Sequence, residues 1–208
     1  AKYCNVKYAI SLNSGTDALV MALHLSGVGR GDEVITPPNS FIASTAVIVH
    51  LGATPVFVDV MSDQNIDPEK IKDAITKRTK AIMPVHLTGR MCNMDTIMGI
   101  AEENGLIVIE DAAQAIGSKY KNQLSGSIGH VGCFSTHPLK NLNACGDGGF
   151  ITTNDEKLYN MTKSLCNHGM QKRNVVNQFG YVSRMDNLQA AILNFRLSKL
   201  DKIIEKRR

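Results

Sequence analysis

The sequence predicts a three-layer α/β/α domain built on a mixed but mostly parallel sheet. Short apolar runs alternate with segments of helical periodicity along nearly the whole chain of 208 residues. Most of these runs are continuous rather than alternating, which is typical of strands buried on both faces. The length and the 43% hydrophobic content suit one globular domain. Because ligands of such sheets bind beyond the carboxyl ends of the strands, we expect the functional residues there.

Seven apolar runs are predicted as strands: Tyr8–Leu12, Glu33–Thr36, Thr54–Val58, Ala81–Val85, Leu106–Glu110, Gly132–Ser135 and Gly149–Thr152. Six segments are predicted as helices: Gly15–Ser26, Phe41–Leu51, Pro68–Ile75, Asp95–Asn104, Asp155–Leu165 and Met185–Lys206. Asp67 before Pro68 is a helix start, and Gly105 is a helix stop. The last segment is expected to be one continuous helix, because it contains no stop signal.

Composition and charge exclude several classes of function. The formal net charge of +4 is modest, and the one basic run, residues 201–208, is interpreted as a solvated helix end rather than a nucleic-acid site. No apolar stretch approaches the ~20 residues of a membrane span, and the opening residues do not resemble a signal peptide. The five cysteines are odd in number and lack Cys-x-x-Cys spacing. They predict neither a disulfide framework nor a metal site, and favour a reducing, cytoplasmic location.

The first candidate site segment follows the first predicted strand and runs from Asn13 to Leu19. A small, polar turn that contains Gly15 and opens a helix is suited to an anion, because backbone N–H groups and the positive helix end face the ligand. Thr16 adds a hydroxyl. The alternative is a plain helix cap formed by Ser14 or Asp17. The segment matches neither the dinucleotide-binding nor the ATP-binding glycine pattern.

The second segment delivers Glu110 and Asp111 at the end of a hydrophobic strand. Buried carboxylates are costly unless they meet a cation or hydrogen-bond donors, and a protonated pyridine nitrogen is one such partner for Asp111. Gln114, expected one helical turn further on, can donate to a phenolate oxygen. The alternative is that Asp111 caps the following helix.

The third segment, Cys133 to Leu142, places Lys140 in a turn that contains a proline. A lysine amine must lose its proton before it attacks an aldehyde, and an apolar setting makes this easier. Glycines follow at 146, 148 and 149, where they would allow the backbone to approach a ligand. The alternative for any single lysine is a solvated surface group.

The fourth segment is the loop that ends at Phe41, after the second strand. Phe41 is suited to stacking on an aromatic cofactor. A core phenylalanine at a helix start is an equally good interpretation of these residues alone.

Together these segments resemble the DegT/DnrJ/EryC1/StrS family of sugar aminotransferases that use pyridoxal 5′-phosphate (PLP). The resemblance runs over nearly the whole chain and is carried by seven segments in this order: Ser14–Leu19, Gly52–Asp59, Val85–Gly89, Glu110–Ala115, Ser135–Lys140, Gly146–Gly149 and Asn167–Gly169. It implies the aspartate-aminotransferase fold, PLP fold type I, with a seven-stranded sheet. Residues 1–208 would then be the large, PLP-binding domain of a longer protein, without its N-terminal helix and C-terminal small domain.

The resemblance also implies roles for individual residues. Lys140 would form the Schiff base with PLP and shuttle the proton, and Asp111 would pair with the pyridine nitrogen. Gln114 would contact the phenolate oxygen. The phosphate would be bound by Gly15, Thr16 and Ser135, and Phe41 would stack on the ring. One residue departs from the family: Val182 stands where an Asn commonly reaches the cofactor phosphate of the partner subunit, and valine cannot donate a hydrogen bond.

The function implied by the resemblance is transfer of an amino group from an amino acid, with glutamate as the expected donor, to a nucleotide-linked keto-sugar. The expected assembly is a homodimer. A PLP-dependent sugar dehydratase is one alternative, but such relatives carry His where this chain has Lys140. A catalytically impaired PLP-binding or regulatory relative is the other, favoured by Val182.

Overall fold

A computed structural model of the chain describes residues 1–207. Its strands are β1 (Tyr8–Leu12), β2 (Glu33–Thr36), β3 (Thr54–Phe57), β4 (Thr79–Ile82), β5 (Ile107–Asp111), β6 (Lys119–Tyr120), β7 (Gln123–Leu124), β8 (Val131–Ser135), β9 (Gly149–Thr153), β10 (Met170–Lys172) and β11 (Val175–Val176). Its α-helices are α1 (Gly15–Leu25), α2 (Ile42–His50), α3 (Pro68–Ala74), α4 (Met94–Asn104), α5 (Glu156–Leu165), α6 (Asn187–Leu197) and α7 (Leu200–Arg207).

Across residues 1–207, the main sheet has seven strands in the order β1-β9-β8-β5-β4-β2-β3. Strand β9 pairs antiparallel with both β1 and β8, and the remaining pairs are parallel. The carboxyl ends of β1, β2, β5 and β8 therefore meet at one edge of the sheet. The predicted mixed, mostly parallel α/β sheet is confirmed.

Helices cover both faces of the sheet because successive strand residues point to opposite sides. On β5, Ile109 packs into the core beneath α1, α2 and α5, whereas its neighbour Val108 packs into the core beneath α3 and α4. A third apolar cluster on the second face joins Phe134 of β8 to α6 and α7. Both side chains on β5 are fully buried, which explains why the strands read as continuous apolar runs.

The predicted strands and helices are present with boundaries shifted by a few residues, apart from the last helix. That prediction was wrong: α6 ends at Leu197, and α7 begins at Leu200. The Ser198 hydroxyl donates to the carbonyl oxygen of Phe195 at 2.8 Å, so it competes for backbone groups where the helix stops. The break allows Leu200 to be buried. Within residues 1–207, no helix has both the length and the apolar character that crossing a membrane requires.

Candidate active site

One cavity of about 440 Å³ opens at the carboxyl edge of the sheet. All seven site residues predicted from the sequence line it: Gly15, Thr16, Phe41, Asp111, Gln114, Ser135 and Lys140. They come from loops or strand ends that follow β1, β2, β5 and β8. Because parallel strands end at the same edge, segments more than a hundred residues apart in sequence meet around one space.

At one end of the cavity, the N-terminus of α1 lies against the end of β8. Ser14 caps the helix by accepting a hydrogen bond from the N–H of Asp17 at 3.0 Å. The cap predicted as an alternative is therefore present, on the wall of the same cavity. A Cβ on Gly15 would lie 2.6 Å from the Cβ of Ser135, closer than real side chains approach. Glycine at this position thus brings free backbone N–H groups of a helix start beside the Ser135 hydroxyl, an arrangement suited to an anion.

Gly149, one of the glycines after Lys140, serves a different purpose from the predicted one. A Cβ on Gly149 would collide with the backbone of Ser14 and Gly15. This glycine therefore lets the start of β9 pack against the turn before α1. The expected close approach is made to the protein's own backbone.

Asp111 is at the end of β5 and is fully buried apart from its share of the cavity wall. Its Oδ2 accepts a hydrogen bond from the Ser44 hydroxyl at 2.7 Å, and its Oδ1 accepts one from the N–H of Ala113 at 3.2 Å. Burial raises the pKa of Asp111, although these two donors and the nearby Lys140 act in the opposite direction. A carboxylate in such a place is suited to a cationic partner in the cavity.

Residues 112–117 form turns, so Asp111 does not cap a helix and Gln114 does not lie one helical turn beyond it. Gln114 is instead oriented by Thr88, whose N–H donates to its Oε1 at 2.8 Å. Thr88 has a φ of 54°, which is unusual for a residue with a side chain. With its oxygen engaged, Gln114 keeps its NH₂ group as a donor for the cavity.

Lys140 lies in a turn in which its N–H donates to the carbonyl oxygen of His137 at 2.8 Å. Two hydrogen bonds close the base of this loop. The N–H of Thr136 donates to the carbonyl oxygen of Gly148, and the N–H of Ala144 donates to the carbonyl oxygen of Thr136. Lys140 is half-buried on the cavity wall, unlike a solvated lysine. Phe41 is 68% exposed and faces the cavity from the start of α2, so it is not a core phenylalanine.

Glu110 forms hydrogen bonds with residues 126–129, the segment that precedes β8. Its fully buried carboxylate accepts hydrogen bonds from His86 Nε2 and from the N–H groups of Gly126, Ile128 and Gly129, at 2.6 to 2.9 Å. The Nδ1 of His86 accepts from the N–H of Cys92, so Nε2 carries the ring proton. Burial alone would raise the pKa of Glu110, but the donors hold it below its ordinary value.

The cavity wall also includes residues to which the sequence analysis gave no role: Ser40, Ser44, Val85, His137, Leu139 and Asp147. Ser40 lies just before α2, and Ser44 lies on its first turn. Their positions in the sequence are a weak signal, because they do not reveal that Ser44 contacts Asp111. All five cysteines are free. Within the described residues, no cluster of His, Cys, Asp and Glu has the arrangement of a metal site.

The sheet order and the helices on both of its faces define the PLP fold type I class. A sequence profile of the DegT/DnrJ/EryC1/StrS aminotransferase family matches residues 1–208. The chain belongs to this family.

Three similar proteins indicate the range of the family. A "dTDP-3-amino-3,6-dideoxy-alpha-D-galactopyranose transaminase" of Aneurinibacillus thermoaerophilus is 48% identical, over 100% of this chain and 58% of its own length. A "Pleiotropic regulatory protein" of Geobacillus stearothermophilus is 46% identical, over 100% of this chain and 56% of its own. The crystal structure of NtdA from Bacillus subtilis with bound cofactor PMP is 40% identical with a TM-score of 0.90, over 96% of this chain and 46% of that one. The chain thus spans about half the length of these relatives.

Proposed function

We propose that this chain is the PLP-binding large domain of an aminotransferase that moves an amino group from an amino acid to a nucleotide-linked keto-sugar. The observation that carries the proposal is the convergence of Lys140, Asp111 and the Gly15–Ser135 contact on one cavity. The similarity to a nucleotide-sugar transaminase and to a structure that holds PMP supports it.

The residues fit PLP at both ends of the cavity. The α1 N-terminus with Gly15, Thr16 and Ser135 would hold the phosphate, since N–H and hydroxyl donors face an anion there. Asp111 would accept a hydrogen bond from the ring nitrogen, which provides the cation that its burial calls for. Gln114 would donate its NH₂ group to the phenolate oxygen, and Phe41 would cover the face of the ring.

When bound, PLP supplies an aldehyde that condenses with amines and a ring that accepts electrons. The protein supplies position and proton transfer. Lys140 would bond to the cofactor through Nζ and, once released by the donor amine, would carry a proton at that Nζ between the carbon of the bound substrate and the carbon of the cofactor. An ionised Asp111 would keep the ring nitrogen protonated. The tied base of the Lys140 loop limits the positions that Nζ reaches.

An isotope-transfer experiment tests this function. Protein loaded with PLP and supplied with ¹⁵N-glutamate is expected to pass the label to a nucleotide-linked keto-sugar, detected by mass spectrometry of the sugar. Lys140→Ala is expected to abolish transfer. Lys121→Ala is the matched control, because Lys121 is exposed and pairs with Asp95 outside the cavity. Failure of the wild-type protein to label any keto-sugar in a panel that includes dTDP-linked sugars would contradict the proposal.

A regulatory PLP-binding protein is the second candidate, and the 46% identity to the Geobacillus protein favours it. The two functions share PLP binding but differ in turnover. A regulatory protein would bind PLP through Lys140 and leave the ¹⁵N label on glutamate. The presence of both Lys140 and Asp111 on the cavity supports the enzyme.

We also propose a homodimer and a cytoplasmic location. Large apolar side chains are exposed, with Ile42 more than two-thirds exposed and Phe179 fully exposed. Such side chains are typical of a surface that another subunit covers. The five free cysteines fit a reducing compartment. Light scattering of the purified protein is expected to give twice the monomer mass, and a monomer at micromolar concentration would contradict the dimer.

A further inference from the structure

Two serine hydroxyls form a hydrogen-bonded chain that ends on the carboxylate of Asp111. Ser44 Oγ lies 2.7 Å from Asp111 Oδ2, and Ser40 Oγ lies 2.7 Å from Ser44 Oγ. Ser44 is on the first turn of α2 and is only 1% exposed, whereas Ser40 precedes the helix and is half-buried. Both line the cavity.

The charge of Asp111 fixes the direction of this chain. An ionised carboxylate only accepts hydrogen bonds, so Ser44 must donate its single proton to Oδ2. The Ser44 oxygen then has free lone pairs, and the Ser40 hydroxyl donates to it. Both O–H dipoles therefore point towards Asp111 and stabilise its negative charge in a setting with little solvent. A protonated Asp111 would not require this direction.

Few other groups near Asp111 influence its charge. Glu110 is next to Asp111 on β5, and the backbone N–H of Ala113 comes from the turn after that strand. Cys133 lies on the neighbouring β8, and burial, Asp111 and Glu110 raise the pKa of its thiol, which is therefore neutral. His86 comes from the segment after β4, and Lys140 comes from the loop after β8. From α2 the contribution is Ser44. Ser44 and Ala113 are the two donors that touch the carboxylate in the described chain.

We infer that Ser44, supported by Ser40, is a positioning residue that keeps Asp111 ionised and fixes the rotation of its carboxylate towards the PLP ring nitrogen. The inference rests on the proposed function for the identity of the ring. It concerns the hydrogen bond from Ser44 to Asp111 and the one from Ser40 that supports it. Without Ser44 the carboxylate would retain one donor, Ala113, and a buried acid with fewer donors takes up a proton more readily.

The first test is an NMR titration that needs no cofactor. The Asp111 side chain is observed in protein labelled with ¹³C at aspartate carboxyls and is assigned by its loss in Asp111→Asn. In Ser44→Ala, the protonation equilibrium of Asp111 is expected to shift roughly tenfold or more towards the acid, since one charge-assisted hydrogen bond is lost. Ser44→Thr keeps the hydroxyl and is expected to titrate like the wild type.

Two further variants separate hydrogen bonding from packing. Ser44→Cys keeps the volume but is a weak donor, so it is expected to behave like Ser44→Ala. Thr45 is the next residue on α2, and its hydroxyl makes no hydrogen bond to Asp111. Thr45→Ala is therefore expected to leave the titration of Asp111 unchanged. A Ser44→Cys protein in which Asp111 titrates as in the wild type would overturn the inference.

The second test uses PLP labelled with ¹⁵N at the ring nitrogen. The ¹⁵N chemical shift of the wild-type protein is expected to report a protonated ring at neutral pH. In Ser44→Ala and Ser44→Cys the protonated fraction is expected to fall, and in Ser44→Thr it is expected to be kept. If the wild-type protein bound no PLP, the proposed function would be wrong. The carboxyl titration would still test the serine chain, because it needs no cofactor. If PLP bound normally and neither signal moved in the variants, the serine chain alone would be wrong.

Discussion

Replacement of Glu110 by glutamine is expected to destabilise the domain strongly although it changes only one atom. Each carboxylate oxygen of Glu110 accepts two hydrogen bonds: Oε1 from Ile128 and Gly129, and Oε2 from Gly126 and His86. A glutamine has one oxygen, so its NH₂ group must face two N–H donors. Two hydrogen bonds are lost, and two buried donors are left without acceptors.

The expected loss in the free energy of unfolding is about 3–6 kcal/mol, from two charge-assisted hydrogen bonds of roughly 1.5–3 kcal/mol each. This is a large part of the 5–15 kcal/mol that stabilises a typical domain. Urea unfolding monitored by circular dichroism measures it. Glu103→Gln is the matched control, because Glu103 is exposed and pairs with Lys72 on the surface, where such pairs contribute about 0–1 kcal/mol.

The pH dependence of the same variant provides a second measurement. The folded state lowers the pKa of Glu110, so its contribution is present above the ordinary glutamate pKa and is lost as the pH falls through the folded value. The difference in the free energy of unfolding between the wild type and Glu110→Gln should therefore become smaller at acidic pH. If Glu110→Gln lowered the free energy of unfolding by less than about 1 kcal/mol at neutral pH, the proposed role of Glu110 in holding residues 126–129 would be refuted.

Three other changes have defined outcomes. Asp111→Asn should stabilise the cofactor-free protein at neutral pH. Burial raises the Asp111 pKa, so the ionised acid costs stability as the pH rises above the ordinary aspartate pKa, and thermal unfolding should show the advantage of Asp111→Asn shrinking as the pH falls. Gly15→Ala should cost about 1–3 kcal/mol and weaken PLP binding, measured by calorimetry, because its Cβ collides with Ser135; unchanged binding would contradict the phosphate assignment. Val182→Asn should tighten PLP binding roughly three- to tenfold in the dimer by adding a donor. An unchanged affinity would mean that residue 182 does not reach the cofactor phosphate of the partner subunit.

The sheet could be predicted because its central strands are buried on both faces and leave a plain apolar signal, as at Ile107–Asp111. The break between α6 and α7 could not, since serine is tolerated within helices and the stop at Ser198 depends on where Leu200 is buried. The two short hairpins, such as Lys119–Tyr120 with Gln123–Leu124, could not be predicted either, because strands of two or three residues carry no periodicity.

The site shows the same division. Residues that follow strands, such as Asp111 and Lys140, were found because topology brings strand ends together. Ser44 was not found, because its role depends on the packing of α2 against β5 and not on a local pattern. Likewise, the sequence predicted Gln114 as a donor, but its orientation comes from the backbone of Thr88, a contact between separate loops.

The central claim is that Lys140 is the residue that bonds to PLP. Borohydride reduction of the protein after incubation with PLP fixes the cofactor to its lysine, and mass spectrometry of the digested chain identifies the peptide. The expected result is a pyridoxyl group on Lys140 in the wild type and in Lys121→Ala, and none in Lys140→Ala. A pyridoxyl group at full occupancy on another lysine, or undiminished labelling of Lys140→Ala, would contradict the claim.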